Sequence, residues 1–258
     1  MAVIKKFRIK SFKEQETLLQ LEKISMFYDK RRILNDISFK VNRSEVLGLL
    51  GPNGVGKSTI FKIIMNIEQQ TSGKIFLNNI DSTDLPIHER SSKFNLSYCP
   101  QYGGYFYDLT VLENLTSVAE IHIKEKNLRI SKIDKIVGQF GFDSILHVKA
   151  KLVSGGERRK LAIAMAIIND PKILLLDEPY AALDILSIKM IQEIIINLQS
   201  MERMSIVVCD HDARDLLTCV DRAIVLSNGK IIVSGSPQEI INDAQARSVY
   251  FGDEFKIS

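Results

Sequence analysis

A continuous apolar run, Val46-Leu47-Gly48-Leu49-Leu50, leads straight into Gly51-Pro52-Asn53-Gly54-Val55-Gly56-Lys57-Ser58-Thr59, and this junction constrains the fold more than anything else in the chain. Apolar residues in unbroken succession mark a strand buried on both faces, as in a parallel sheet. The loop fits GxxxxGK[ST] and a helical pattern follows it, so strand, loop and helix stand in the order a phosphate loop requires. Its glycines free backbone N–H groups to face an anion, and the helix that starts near Ser58 adds the positive end of its dipole. Lys57 offers charge to β and γ phosphates, and Ser58 offers a hydroxyl to Mg²⁺. A phosphate-loop NTPase core of α/β class is expected.

Short runs with turn punctuation precede that junction. Leu19-Gln20-Leu21-Glu22 alternates, Asp29-Lys30-Arg31-Arg32 reads as a hairpin turn, and Ile37-Ser38-Phe39-Lys40-Val41 alternates again, which predicts an antiparallel β portion. Residues 101–156 have helical texture, with apolar residues at three- and four-residue spacing over 111–123 and 130–140. Strand runs resume at 173–176, 206–209, 223–226 and 231–233, with helical patterns near 157–169 and 186–201. The expectation is a basic N-terminal tail over residues 1–17 and one domain over 18–258. Its mixed, largely parallel core covers about 18–100 and 160–235, an inserted α-helical subdomain about 101–159, and a C-terminal tail about 236–258. No internal repeat is visible, which argues against a duplicated chain.

Bulk properties exclude several classes. With 45% apolar and 25% charged residues the chain has the composition of an ordinary globular protein. A net charge of +3 lacks the concentrated basic face of a nucleic-acid binder, so no nucleic acid is expected as partner. Cys99, Cys209 and Cys219 are odd in number and widely spaced, which suggests neither a disulfide framework nor a zinc site but buried thiols in a reducing compartment. No run approaches the roughly 18 apolar residues of a membrane span. The basic start, Lys5 to Lys13, is followed by no apolar segment or cleavage site, so no export is expected.

Ile173-Leu174-Leu175-Leu176-Asp177-Glu178 places two carboxylates at the end of a buried strand, where parallel α/β sheets bind ligands. In phosphate-loop enzymes the first holds Mg²⁺ through water, a role assigned to Asp177. Glu178 then faces the γ-phosphate and orients the attacking water as general base. Ser154-Gly155-Gly156-Glu157 has the S-x-x-E spacing of a capping box before a helical pattern. Its bare glycine donors at a helix N-terminus make a second anion site.

The phosphate loop, Gln101, this Ser-Gly-Gly-Glu signature, the Asp177-Glu178 pair and His211 stand in the order and spacing of ABC transporter ATPases, which the chain resembles over about residues 18–252. The resemblance implies ATP as nucleotide and a head-to-tail dimer with a second copy. In that dimer the loop Gly51 to Thr59 of one copy and Ser154, Gly155 and Gly156 of the other would enclose each ATP. It further implies that Tyr28 stacks on adenine, that Gln101 senses the γ-phosphate and Mg²⁺, that His211 is the γ-phosphate switch, and that Asp184 lies in the loop that communicates across the dimer. Without it, Tyr28 would read as packing and His211 as a structural hydrogen bonder.

Within the family the chain looks most like the cytoplasmic ATPases of lipopolysaccharide export in Gram-negative bacteria. Leu85-Pro86-Ile87-His88-Glu89-Arg90, Ser154-Gly155-Gly156-Glu157-Arg158-Arg159 and the ending Val249-Tyr250-Phe251-Gly252-Asp253-Glu254-Phe255 carry that likeness. Branched-chain amino-acid importer ATPases share part of the ending and are the alternative; a soluble ABC protein of translation or DNA maintenance would need a second cassette or a long coiled-coil insert. By resemblance, integral membrane subunits would dock near Gln101 to Tyr107, where Tyr102, Tyr105, Phe106 and Tyr107 cluster. These aromatics could equally pack the insert. The family pattern departs at Val153, where Leu is usual, and at Tyr107-Asp108, where export ATPases carry basic residues. The expected place is the cytoplasm, peripheral on the inner face of the inner membrane.

Overall fold

A computed structural model describes residues 16–251. The expected basic N-terminal tail therefore lies almost wholly outside the described residues, as do Gly252 to Phe255 of the ending.

The described residues build two sheets. β1 (Thr17–Tyr28) and β2 (Arg31–Asn42) form a hairpin, and Asp29 takes the turn with φ 51°. β4 (Ser72–Leu77) and β5 (Ile80–Asp81) complete an antiparallel sheet of order β2-β1-β4-β5. The second sheet has the order β10-β9-β3-β8-β7-β6. Its members are β3 (Val46–Leu50), β6 (Leu96–Cys99), β7 (Ile173–Asp177), β8 (Ser205–Cys209), β9 (Arg222–Ser227) and β10 (Lys230–Gly235). Every pair in it is parallel except β9 with β10. The expected α/β class with a mixed, largely parallel sheet and an antiparallel portion is what the chain adopts.

β3 shows why the unbroken apolar run was needed. Leu47 and Leu49 point into a core shared with the antiparallel sheet and α1 (Lys57–Ile64). Val46 and Leu50 point into a core shared with the helices that follow β6. All four are fully buried, and each side chain contributes ~1.5–3 kcal/mol by leaving water. That two-sided anchoring fixes the strand whose end launches the phosphate loop.

Between β6 and β7 lie α3 (Val111–His122), α4 (Lys126–Phe140) and α5 (Gly155–Ala166), packed through Leu115, Ile136, Phe140 and Leu161. Lys160 donates to the last carbonyl of α4, Phe140 O, at 2.8 Å and lies over the Phe142 ring, so it caps α4 as a cation should. α2 (Ile87–Phe94) precedes β6, α6 (Ile185–Met201) follows β7, and α7 (Ala213–Leu217) follows β8. The described part of the expected C-terminal tail packs on the core: α8 (Pro237–Asn242) opens with a capping box, Ile240 and Ala246 are buried, and the Tyr250 hydroxyl donates to the carbonyl of His211.

Candidate functional site

The phosphate loop leaves β3 and turns three times through left-handed backbone, at Gly51 (φ 150°), Gly54 (φ 77°) and Gly56 (φ 110°). A Cβ on Gly51 would lie 2.6 Å from the Leu226 carbonyl oxygen and one on Gly56 2.6 Å from Leu34, whereas Gly54 faces open space. Two of the glycines are thus required by close packing and the third leaves the backbone bare. Gly56 stands at the N-cap of α1 with no side chain capping the helix, so the first N–H groups of α1 remain available to an anion. Pro52 and Asn53 are exposed and Val55 is buried. Lys57 is only 4% exposed and donates to Gly51 O at 2.7 Å and Pro52 O at 3.3 Å. This curls the ammonium back over the loop.

A cavity of about 280 Å³ opens here, lined by Tyr28, Arg31, Ile33, Gly54, Gly56, Lys57, Ser58, Thr59 and Glu178. Arg31 and Ile33 were not foreseen; nothing in their sequence context marks them, because the hairpin register brings them to the loop. Tyr28 is 42% exposed and its hydroxyl donates to Glu68, whose carboxylate also accepts from Lys62 Nζ at 2.9 Å. Burial and the neighbouring Glu68 carboxylate raise the Tyr28 phenol above its ordinary pKa.

Asp177, at the end of β7, accepts from Ser58 Oγ at 3.0 Å and Cys209 Sγ at 2.9 Å through Oδ1, and from the Tyr98 hydroxyl at 3.0 Å through Oδ2. The phosphate loop, β6, β7 and β8 therefore meet on one carboxylate. Burial, then the Asp177 charge, push the phenol of Tyr98 and the thiol of Cys209 upward, which keeps both protonated and able to donate. Cys209 is buried as its isolation in the sequence suggested, but it is also a partner of the site, which no spacing pattern announces.

Glu178 sits at φ 45°, a left-handed conformation that costs a non-glycine residue of order 1 kcal/mol or more. Its N–H donates to Cys209 O at 2.8 Å, which holds the strained turn. Its carboxylate accepts from Gln101 Nε2 at 2.7 Å, and His211 Nδ1 lies 3.5 Å away. Gln101, Glu178 and His211 are thus brought together, and Ser58 and Asp177 beside them. The hydroxyl and carboxylate oxygens of Ser58 and Asp177 suit Mg²⁺, a hard cation that keeps several waters and shares substrate oxygens. Among the described residues no cluster of three or more His, Cys, Asp or Glu could hold a metal alone.

Ser154, Gly155 and Gly156 do not line this cavity. Ser154 and Glu157 form the expected capping box, Glu157 N to Ser154 Oγ at 3.2 Å and Ser154 N to Glu157 Oε2 at 2.7 Å. Gly156 is packed against Ser187, and Asp184 caps the same helix α6 by accepting from Leu186 N and Ser187 N. Val153 is buried. Of the aromatics after Gln101, Tyr105 packs against Tyr107 at 4.9 Å, while Tyr102 is 81% exposed and Phe106 and Tyr107 55% each. Asp108 is paired with Lys151.

Comparison with known proteins matches residues 34–181 to the ABC transporter family. The lipopolysaccharide export system ATP-binding protein LptB of Haemophilus influenzae is 38% identical over 245 residues, covering 93% of this chain and all of that one. LptB of Escherichia coli is 34% identical over 240 residues, 93% of this chain and 99% of that one. An uncharacterized ABC transporter ATP-binding protein of Rhizobium meliloti is 36% identical over 89% of this chain and 84% of its own length. Among solved structures, the ADP conformation of MJ1267, an ATP-binding cassette of an ABC transporter, superposes with a TM-score of 0.81 at 24% identity, covering 92% of this chain and 99% of that one.

Proposed function

The chain belongs to the ABC transporter family as an ATP-binding and ATP-hydrolysing subunit, and from that membership we propose that its hydrolysis powers lipopolysaccharide export through membrane partner subunits. Similarity to LptB proteins over more than nine tenths of the chain carries this reading. The exposed Tyr102, Phe106 and Tyr107 supply the apolar anchors that a docked subunit needs, next to Gln101, which touches Glu178. Among the described residues no helix is long and apolar enough to cross a membrane. From the similarity to LptB proteins we place the chain on the cytoplasmic face of the inner membrane, held there by those partners.

In this reading the loop amides from Gly51 to Thr59 and the Lys57 ammonium hold the triphosphate, and Tyr28 stacks on adenine. Ser58, Gln101 and Asp177 would hold Mg²⁺, which when bound would neutralise phosphate charge. Glu178 takes the proton of the attacking water, and His211 donates to the γ-phosphate. Ser154, Gly155 and Gly156 lie apart from that cavity, which supports a head-to-tail pair in which they close over the ATP of a second copy.

The deciding experiment is purification of the tagged chain from its native membranes in mild detergent, with identification of every protein that accompanies it. Two different membrane proteins with extended periplasmic portions are expected. Permeases with a solute-binding protein would make the chain an importer subunit, and ribosomes or nucleic acid would overturn the transport reading.

A further inference from the structure

Asp210 is the point where three parts of the site join. It follows β8 and is 1% exposed. Burying a carboxylate is costly unless hydrogen bonds replace its water. Here backbone groups replace it: Oδ1 accepts from His211 N at 2.7 Å and Asp212 N at 3.0 Å, and Oδ2 accepts from Tyr180 N at 3.3 Å. Its own N–H donates to Leu49 O at 3.3 Å, in the strand that launches the phosphate loop. His211 Nδ1 stands 3.4 Å from Oδ1. The side chain thus ties the segment after Glu178 to the segment bearing His211, and the backbone N–H of the same residue joins both to the strand before Gly51. Oδ1 fixes the turn that carries His211 and Oδ2 holds that turn to the segment after Glu178, so a shift of either segment strains the same carboxylate. Burial raises the Asp210 carboxyl above its ordinary pKa, and the backbone donors pull it back, so the fold bears a cost to keep an acceptor here.

We propose that Asp210 is a positioning residue for ATP hydrolysis, setting His211 in register with the Glu178 segment without itself touching nucleotide. This rests on the proposed roles of Glu178 and His211. Asparagine preserves the shape but offers one acceptor oxygen, and its amide N–H₂ would face a backbone N–H on the other side.

The test uses the full chain and the variants D210N, D210S, H211A and D210N/H211A, with kcat, KM, fluorescent-nucleotide affinity and Tm measured for each. D210N is expected to lower kcat about 10- to 100-fold, up to the loss that a misplacement of about 1 Å at a reacting centre produces. KM and nucleotide affinity should stay within about 3-fold, because the phosphate loop is intact. In the H211A background D210N should add less than about 2-fold, as two changes in one unit do not add. D210S keeps an acceptor for the His211 side but cannot reach Tyr180, and should fall in kcat likewise if D210N does not fold. Unchanged kcat in a folded D210N or D210S would overturn the proposal. So would an equal loss in the H211A background, or affinity falling in parallel with kcat, the mark of general damage. An unimpaired H211A would instead sink the role of His211 on which the proposal rests.

Discussion

Gln101 Nε2 donates to Glu178 Oε2 at 2.7 Å, so the residue at the head of the aromatic segment proposed to dock membrane subunits grips the carboxylate proposed to act on the attacking water. Glu178→Gln removes the proton acceptor and leaves two amides facing each other. Phosphate release should fall at least about 100-fold, the usual contribution of general base catalysis, while fluorescent nucleotide still binds and ATP traps a dimer visible by size-exclusion chromatography. Unchanged turnover would sink the assignment of the base.

Neighbouring glycines of the signature separate packing from function. A Cβ at Gly156 would lie 2.3 Å from Ser187 Oγ and 2.9 Å from its Cβ, whereas one at Gly155 meets only Leu183 at 3.7 Å. Gly156→Ala should cost about 1–3 kcal/mol of stability by overpacking, and Gly155→Ala less than about 0.5 kcal/mol. Chemical denaturation of the two variants gives the comparison.

At the nucleotide cavity, Tyr28→Ala should weaken nucleotide binding about 10-fold or more, since stacking a base on an aromatic ring contributes ~1–3 kcal/mol. Tyr28→Phe keeps the ring but loses the bond to Glu68, and should weaken binding less than about 3-fold. A fluorescent-nucleotide titration tests both.

Arg90 is fully buried and donates to the carbonyls of Ile63 (2.8 Å), Ile64 (2.7 Å), Thr83 (2.6 Å) and Leu85 (2.9 Å), clamping the end of α1 to α2. Burial draws its guanidinium down to about 10. Arg90→Ala would strand those carbonyls, and a loss of about 3 kcal/mol is expected. Denaturant midpoints for Arg90→Ala and Arg90→Lys check it, lysine recovering part of the loss.

Acid stability follows from the capping boxes. Backbone hydrogen bonds lower the carboxyls of Glu113, Glu157 and Glu239 below the ordinary glutamate value of 4.5. Carboxyls whose pKa is lower in the folded state stabilise it at pH above that ordinary value, and the contribution is lost as pH falls through the folded values. Tm should therefore decline progressively below about pH 4.5, and in Glu157→Gln it should decline less steeply. Asp210, raised by burial, works in the opposite sense, because protonation relieves its cost.

Much of this was readable in the sequence for a local reason. The phosphate loop, the capping box at Ser154 and the carboxylates after β7 are each written in contiguous residues, and β3, α6, β7, β8, β9 and β10 closely match their expected bounds, whereas β1, β2 and α4 extend well beyond the runs that announced them. β6 was not anticipated: Leu96–Cys99 is four residues of mixed polarity, preceded by a short α2 that stops at Asn95 in left-handed backbone. The partners of Asp177 were equally hidden. Cys209 faces Asp177, and Tyr98 faces Leu175, through the ladder register of strands distant in the chain, and register is decided by the packed sheet rather than by local pattern. Asp210 stayed invisible for the same reason, since its partner Tyr180 lies 30 residues away.

Cys99, Cys209 and Cys219 are all buried, which bears on how motion in this chain can be followed. Thiol reagents need an accessible thiolate, so a cysteine introduced at Leu152 or Met201, 71% and 79% exposed, would take a spin label or fluorophore selectively in the native background. The customary cysteine-free background would be the wrong starting material here, because replacing Cys209 with alanine removes a donor from Asp177. Probes added to the intact sequence would report distances between two copies through a turnover cycle with that carboxylate undisturbed.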